Sequence, residues 1–268
     1  MSVKVAKGCA ICGPIMIVLF LIGFLGIARF VPPPSPNLTA AQTLQMYVDR
    51  QFPIRLGLWI ATLGAAFMGP YFAVISAQMR RIEGPFSSPL AMTQVSLGAL
   101  AIFEFILPQQ IWEAAAYRAD RAPDSVQALT DVGWLCFIGI TATFLIQLSA
   151  IGVAILTDQR ARPLMPRWVG YFTIWIALMI MPGSLCVFFH DGPFIWSGVF
   201  GFWVPLVAFS GWFPVMTWAV WKAIDTPEPA TEPAAPTTGA VELNAEVRAE
   251  LAELRAAVAR LRPGTLAG

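Results

Sequence analysis

The stretch DVGWLCFIGITATFLIQLSAIGVAIL, residues 131–156, contains no charged side chain after Asp131. It exceeds the roughly 20 residues that carry an α-helix across a hydrocarbon core about 30 Å thick. A segment that apolar, long enough to leave water, must satisfy its backbone N–H and C=O groups internally, and a helix does so within a single segment. Moving outward along the chain, the same reading applies to residues 13–31, 55–79, 91–116, 168–189 and 198–222. The composition agrees: 57% of residues are apolar and 12% charged, a balance that excludes an ordinary water-soluble domain. The expected fold class is all-α, a polytopic membrane bundle of six transmembrane helices.

The order of the segments predicts a short N-terminus (1–12), a transmembrane domain (13–224), a Pro-rich linker (225–239) and a C-terminal helix (240–262). Lys4 and Lys7 ahead of the first segment give it a signal-peptide flavour, but its apolar run is long, has no small-residue cleavage site and is followed by five more spans, so a retained helix is expected. Basic residues set the orientation. Lys4, Lys7, Arg80, Arg81, Arg160, Arg162, Arg167 and Lys222 fall on one side, against Arg29, Arg50, Arg55, Arg118 and Arg121 on the other. The positive-inside rule then puts both termini in the cytoplasm. On the opposite side, Pro32-Pro33-Pro34-Ser35-Pro36 cannot continue a helix, and Thr39-Ala-Ala-Gln42 has the form of a capping box before a short helix.

The tail carries the sharpest periodic pattern. Asn244, Val247, Leu251, Leu254, Val258 and Leu261 are spaced alternately three and four residues apart, the seam of a coiled coil. Asn244, Leu251 and Val258 take the a positions and Val247, Leu254 and Leu261 the d positions. In a parallel assembly Glu250 at g faces Arg255 at e of the neighbouring chain. The expectation is a cytoplasmic coiled-coil helix that makes the protein a homo-oligomer. Docking on another protein or on the bundle itself, and lying on the membrane surface, remain open for the same stripe.

Inside the spans, Glu104 stands out, because an ionisable side chain at mid-bilayer is costly unless paired or set in a cavity. Pro108 has no N–H to donate to the Glu104 carbonyl, so a freed carbonyl and a carboxyl group share one depth. Gln147 on the next span is the expected partner, and Trp112 lies one turn beyond Pro108. These four form the expected ligand-binding set, while Glu113 and Asp131 join Glu104 as acid or base residues if the protein is an enzyme. Pro70, Pro182, Pro205 and Pro214 mark further weak points in helices.

Several chemistries lack their residues. With one histidine there is no His-rich metal, haem or di-iron set, and neither a phosphate-binding loop nor a dinucleotide fingerprint occurs. Cys9 and Cys12 form a C-x-x-C ahead of the first apolar run, without the βαβ pattern of a redox domain, and read as incidental thiols. No metal, cofactor or nucleic-acid partner is expected.

Val74-Ile-Ser-Ala-Gln-Met-Arg-Arg-Ile-Glu-Gly84 and Met165-Pro-Arg-Trp-Val-Gly-Tyr171 resemble segments of uncharacterised, chiefly actinobacterial, six-span membrane proteins, over roughly residues 10 to 224. The resemblance implies a bacterial inner membrane and supplies no activity. The leading functional expectation is a self-associating, non-enzymatic membrane protein that binds or passes a small hydrophobic or weakly polar molecule through its bundle. Two others stand beside it: a membrane-embedded enzyme acting on a lipid-soluble substrate through Glu104, Glu113 or Asp131, and an accessory or scaffold subunit of a membrane complex assembled through the tail.

Overall fold

The computed structural model describes residues 2–84, 87–118, 120–227 and 247–257, and among these every regular element is a helix. Six helical stretches are long and apolar enough to cross a membrane: Val3–Ile27, Gln51–Glu83, Pro89–Tyr117, Pro123–Leu156, Arg167–Phe188 and Val199–Asp225. Only the third is a single α-helix throughout, α5 (Pro89–Tyr117). The first is α1 (Val3–Phe20) extended by π-helical turns to Ile27. The second is α3 (Gln51–Ala65) and α4 (Met68–Glu83), preceded by the short α2 (Ala40–Asp49). The fourth divides into α6 (Pro123–Gly139) and α7 (Ala142–Leu156). In the fifth, α8 (Arg167–Ile180) tightens into a 3₁₀ helix at Met181–Phe188, and the sixth opens with π-helical turns at Val199–Trp203 before α9 (Val204–Asp225).

Contacts close these spans into a ring. α5 touches α3, α4, α6 and α7; α7 lies on α8, α8 on α9, and α9 returns to α1. Where the first and second spans cross, the backbones meet. A Cβ on Gly23 would lie 2.3 Å from the Gly57 carbonyl oxygen, and one on Gly57 would lie 2.4 Å from that of Gly23. Small residues of this kind let helices approach closely where lipid offers no hydrophobic drive for association.

The first helix begins at Val3, well before the apolar run predicted from residue 13. Hydropathy misses these turns because Lys4 and Lys7 interrupt them, but Lys7 is neutralised: its ammonium lies 2.7 Å from Asp225 and 4.8 Å from the Trp221 ring centroid. Ser2 caps the helix by accepting the Val5 N–H at 3.4 Å. Cys9 and Cys12 are therefore helical, and all four cysteines are free.

The Lys7–Asp225 pair places the start of the first span and the end of the last at one end of the ring. Arg81 from α4 joins them there, donating to the carbonyls of Ala223 and Thr226, each at 2.7 Å. Beside it, Gly84 ends α4 at φ 97°, a conformation that favours glycine. The Glu83 carboxylate accepts the N–H groups of Leu90 (2.9 Å) and Ala91 (2.8 Å), capping α5 and complementing its dipole.

At the opposite end α2 carries the expected capping box between Thr39 and Gln42. It packs on α6 rather than standing alone, with Thr43 and Tyr47 buried. The connection before it is fastened to the loop between the fifth and sixth spans and to α6: Asn37 donates to Asp191 at 2.8 Å, Trp196 to the Pro34 carbonyl at 2.9 Å, and Gln127 of α6 to that of Leu38 at 2.9 Å.

Aromatic rings fill the interior. From Tyr47 a chain of contacting rings runs through Phe30, Trp112, Phe137, Phe105, Phe209 and Phe213 to Tyr71, with centroids 4.9 to 6.4 Å apart. Such spacings are those of favourable offset and edge-to-face pairs.

The region after Thr226 forms a separate unit. Residues 247–257 are helical, and Val247, Glu250, Leu251, Leu254 and Arg255 on it are all exposed. Asn244, Val258 and Leu261, and the linker from residue 228 onward, lie outside the described residues.

Candidate functional site

The fourth span breaks at Ile140 and Thr141, in the middle of the run that identified it. Gly139, with two β-branched residues after it, makes this the weakest helical point of the stretch. A break there takes backbone groups out of the helical ladder at mid-span, a feature tolerated where the segment is buried in protein or borders a cavity. A cavity of about 90 Å³ does border it. Its walls are six phenylalanines, Phe20, Phe105, Phe137, Phe144, Phe202 and Phe209, supplied by four spans. Thr141 lines it as well, and Ile140, 40% exposed, stands at the mouth. The sixth span faces it through Pro205 and Leu206, just past the switch from π to α geometry, and both are partly exposed. Exposed and partly exposed residues of the fourth and sixth spans thus border the cavity on one side.

Polar groups sit along one margin. Glu104, next to the wall residue Phe105, is only partly buried, and the Thr143 hydroxyl lies 2.6 Å from both of its carboxyl oxygens. Sequence reading paired Glu104 with Gln147; the structure corrects the partner to Thr143, one helical turn earlier on α7. The reason is register: Gln147, one turn further along α7, also faces α5 but meets it at Gly98, six residues before Glu104, where it is fully buried. Pro108 and Trp112 are buried as well, and neither lines the cavity. Trp112 packs tilted against Trp134, ring centroids 4.7 Å apart, and donates to the Thr130 carbonyl at 3.4 Å, so it belongs to the packed interior and not to a ligand-facing rim. It fits there because Gly133 opposite has no Cβ, which would lie 2.3 Å from the indole nitrogen.

Gln147 belongs to a second polar feature. Neither its amide nitrogen nor its oxygen has a hydrogen-bond partner among the described residues. One turn along α5 from Gly98, Gln94 is fully buried too; its oxygen meets the Ser76 hydroxyl while its nitrogen stays unpartnered. Ser76 also lies 2.8 Å from the Ala91 carbonyl. Sequence reading missed Ser76, Gln94 and Thr143, since one hydroxyl or amide in an apolar run costs too little to announce itself.

The three carboxyls named as acid or base candidates do not converge. Glu104 and Glu113 stand nine residues apart on one helix, roughly 13 Å along its axis, and Glu113 faces α3, where Arg55 lies. Asp131 faces His190 near the end of the bundle. Close by, Arg50 between α2 and α3 donates to the Ala28 carbonyl, and burial, then the charge of Arg29, lowers its pKa. Burial pushes the Tyr47 phenol well above the usual tyrosine range, with the Thr130 hydroxyl 3.3 Å away. Among the described residues no three His, Cys, Asp or Glu side chains gather as a metal-binding group. No protein-family model, curated protein or solved structure matches this chain.

Proposed function

We propose that the protein binds the apolar end of a lipophilic molecule in the phenylalanine-walled cavity at the broken fourth span, with the Glu104–Thr143 pair receiving a weakly polar group at its margin. The cavity carries this reading. At about 90 Å³ it is smaller than the roughly 150 Å³ void that admits benzene. Only the tip of a ligand enters, then, and the rest lies along Ile140 and Leu206 in the bilayer. The chain of edge-to-face rings through the interior favours binding from the side over passage through the bundle, because packed rings leave no continuous polar path. In this reading the protein resides in a bacterial inner membrane with both termini cytoplasmic, and self-associates in parallel through the 240–262 seam, where Val247, Leu251 and Leu254 are exposed for a partner helix. The dispersed carboxyls weigh against acid-base catalysis, which needs its groups within hydrogen-bond reach of one substrate.

The test is photolabelling of the full chain in vesicles with a diazirine-bearing isoprenoid alcohol. Labels concentrated on residues 137–144 and 202–209, lost on Leu206→Trp, are the expected result. Labelling spread evenly over lipid-facing positions, unchanged by that substitution, refutes the reading.

A further inference from the structure

A second feature lies between α3 and α5, at the end of the bundle opposite the Lys7–Asp225 pair. Phe52, Arg55, Leu56, Trp59 and Glu113 enclose a groove of about 440 Å³, within the range of small-ligand sites. Its two charges are opposite in sign, yet they do not close on each other. The Arg55 guanidinium sits over the Tyr117 ring at 5.4 Å and makes no ion pair with Glu113. Of the Glu113 carboxyl oxygens, one accepts from Gln110 at 3.1 Å, and the other is shielded from solvent with no donor among the described residues. Glu113 lies one turn from the end of α5 and Arg55 one turn from the start of α3, the depth where Trp side chains and lipid headgroups meet. From there an exposed apolar track leads toward the middle of the spans through Trp59 (56% exposed), Leu63 (48%) and Phe103 (56%).

We infer that this groove binds a phospholipid whose headgroup carries both a phosphate and a primary ammonium, a phosphatidylethanolamine. Arg55 holds the phosphate, as a guanidinium suits phosphate oxygens. The ammonium pairs with the Glu113 carboxylate, and the acyl chains follow Trp59, Leu63 and Phe103. A choline headgroup has no N–H to offer Glu113, and a glycerol headgroup leaves that carboxylate beside a phosphate with no cation between them. The charge pattern therefore selects among lipids that share the same tails. This site is separate from the phenylalanine cavity and does not depend on it.

Native mass spectrometry of the full-length protein, incubated with an equimolar mixture of phosphatidylethanolamine, phosphatidylcholine and phosphatidylglycerol of identical chains, tests it. A charge-assisted hydrogen bond predicts about tenfold or greater retention of phosphatidylethanolamine over the other two. Glu113→Gln should lower it to the phosphatidylcholine level and raise phosphatidylglycerol, and Arg55→Gln, at an exposed position, should weaken all three. Equal retention of the three lipids by the unaltered protein, preferential retention of phosphatidylglycerol, or an ethanolamine preference that survives Glu113→Gln, overturns the assignment.

Discussion

Replacing Gly57 by alanine puts the crossing of the first two spans to a quantitative test. The added Cβ would lie 2.4 Å from the Gly23 carbonyl oxygen and 2.5 Å from the Ala28 nitrogen, against an ordinary contact of 3.4 Å or more. Both obstacles are backbone, which cannot rotate aside, so the helices must separate by about 1 Å. A gap of that size forfeits a quarter to a half of each dispersion contact around the crossing, and overpacking typically costs about 1 to 3 kcal/mol. The upper end applies here. Alanine's helix propensity returns about 1 kcal/mol, leaving a net loss of about 2 kcal/mol, or roughly 4 to 8 °C in Tm. Gly8→Ala and Gly211→Ala are the controls: a Cβ at either site has nothing within 4 Å, so only the propensity gain remains. Thermal unfolding of the three variants in one detergent, followed by tryptophan emission, makes the comparison. If Gly57→Ala proves as stable as Gly8→Ala, the close crossing does not exist as described.

Gln147→Leu removes two buried, unpartnered polar atoms at nearly constant volume, so stability should hold or rise by about 1 to 3 kcal/mol in the same assay; a clear loss would mean that the amide is hydrogen-bonded in the protein. Thr143→Val and Glu104→Gln, alone and together, give a double-mutant cycle with an expected coupling of about 1 kcal/mol, and a value near zero marks the contact as incidental. Tyr47 supplies a pH test. Its folded pKa lies above the unfolded value, so its contribution is fully present below about pH 10 and declines as pH rises beyond it, by up to about 1.4 kcal/mol per unit. Tyr47→Phe should flatten the alkaline side of a Tm-against-pH curve, and an unchanged slope contradicts the burial of the phenol.

The spans were legible because charge and hydropathy alternate in blocks: three of the six predicted segments fall inside helical stretches and two more overrun theirs by a single residue. The start of the first was not, because a local hydropathy sum cannot know that Asp225 neutralises Lys7. Proline partly foretold the changes of helix type: Pro182 stands in the 3₁₀ segment and Pro205 follows the π-helical turns. The break at Ile140 has no proline, and it is this break that borders the cavity. Glu104 was conspicuous by its cost, while its partner depended on the register of α7 along α5. The close approach of Gln147 to Gly98 goes with that register, and no pattern within one helix carries it.

The ring closes between the first helix and the last, and this sets an order on assembly. Lys7 leaves the ribosome long before Asp225, and at ordinary synthesis rates the interval is on the order of 10 to 40 s. Throughout that time α1 can rest on the second span through Gly23 and Gly57, but the side that will receive α9 faces lipid or an insertion chaperone. A nascent chain stopped before residue 199 should therefore hold an open arc of helices. Completion of the last span then brings Lys7 and Asp225 together and closes the ring.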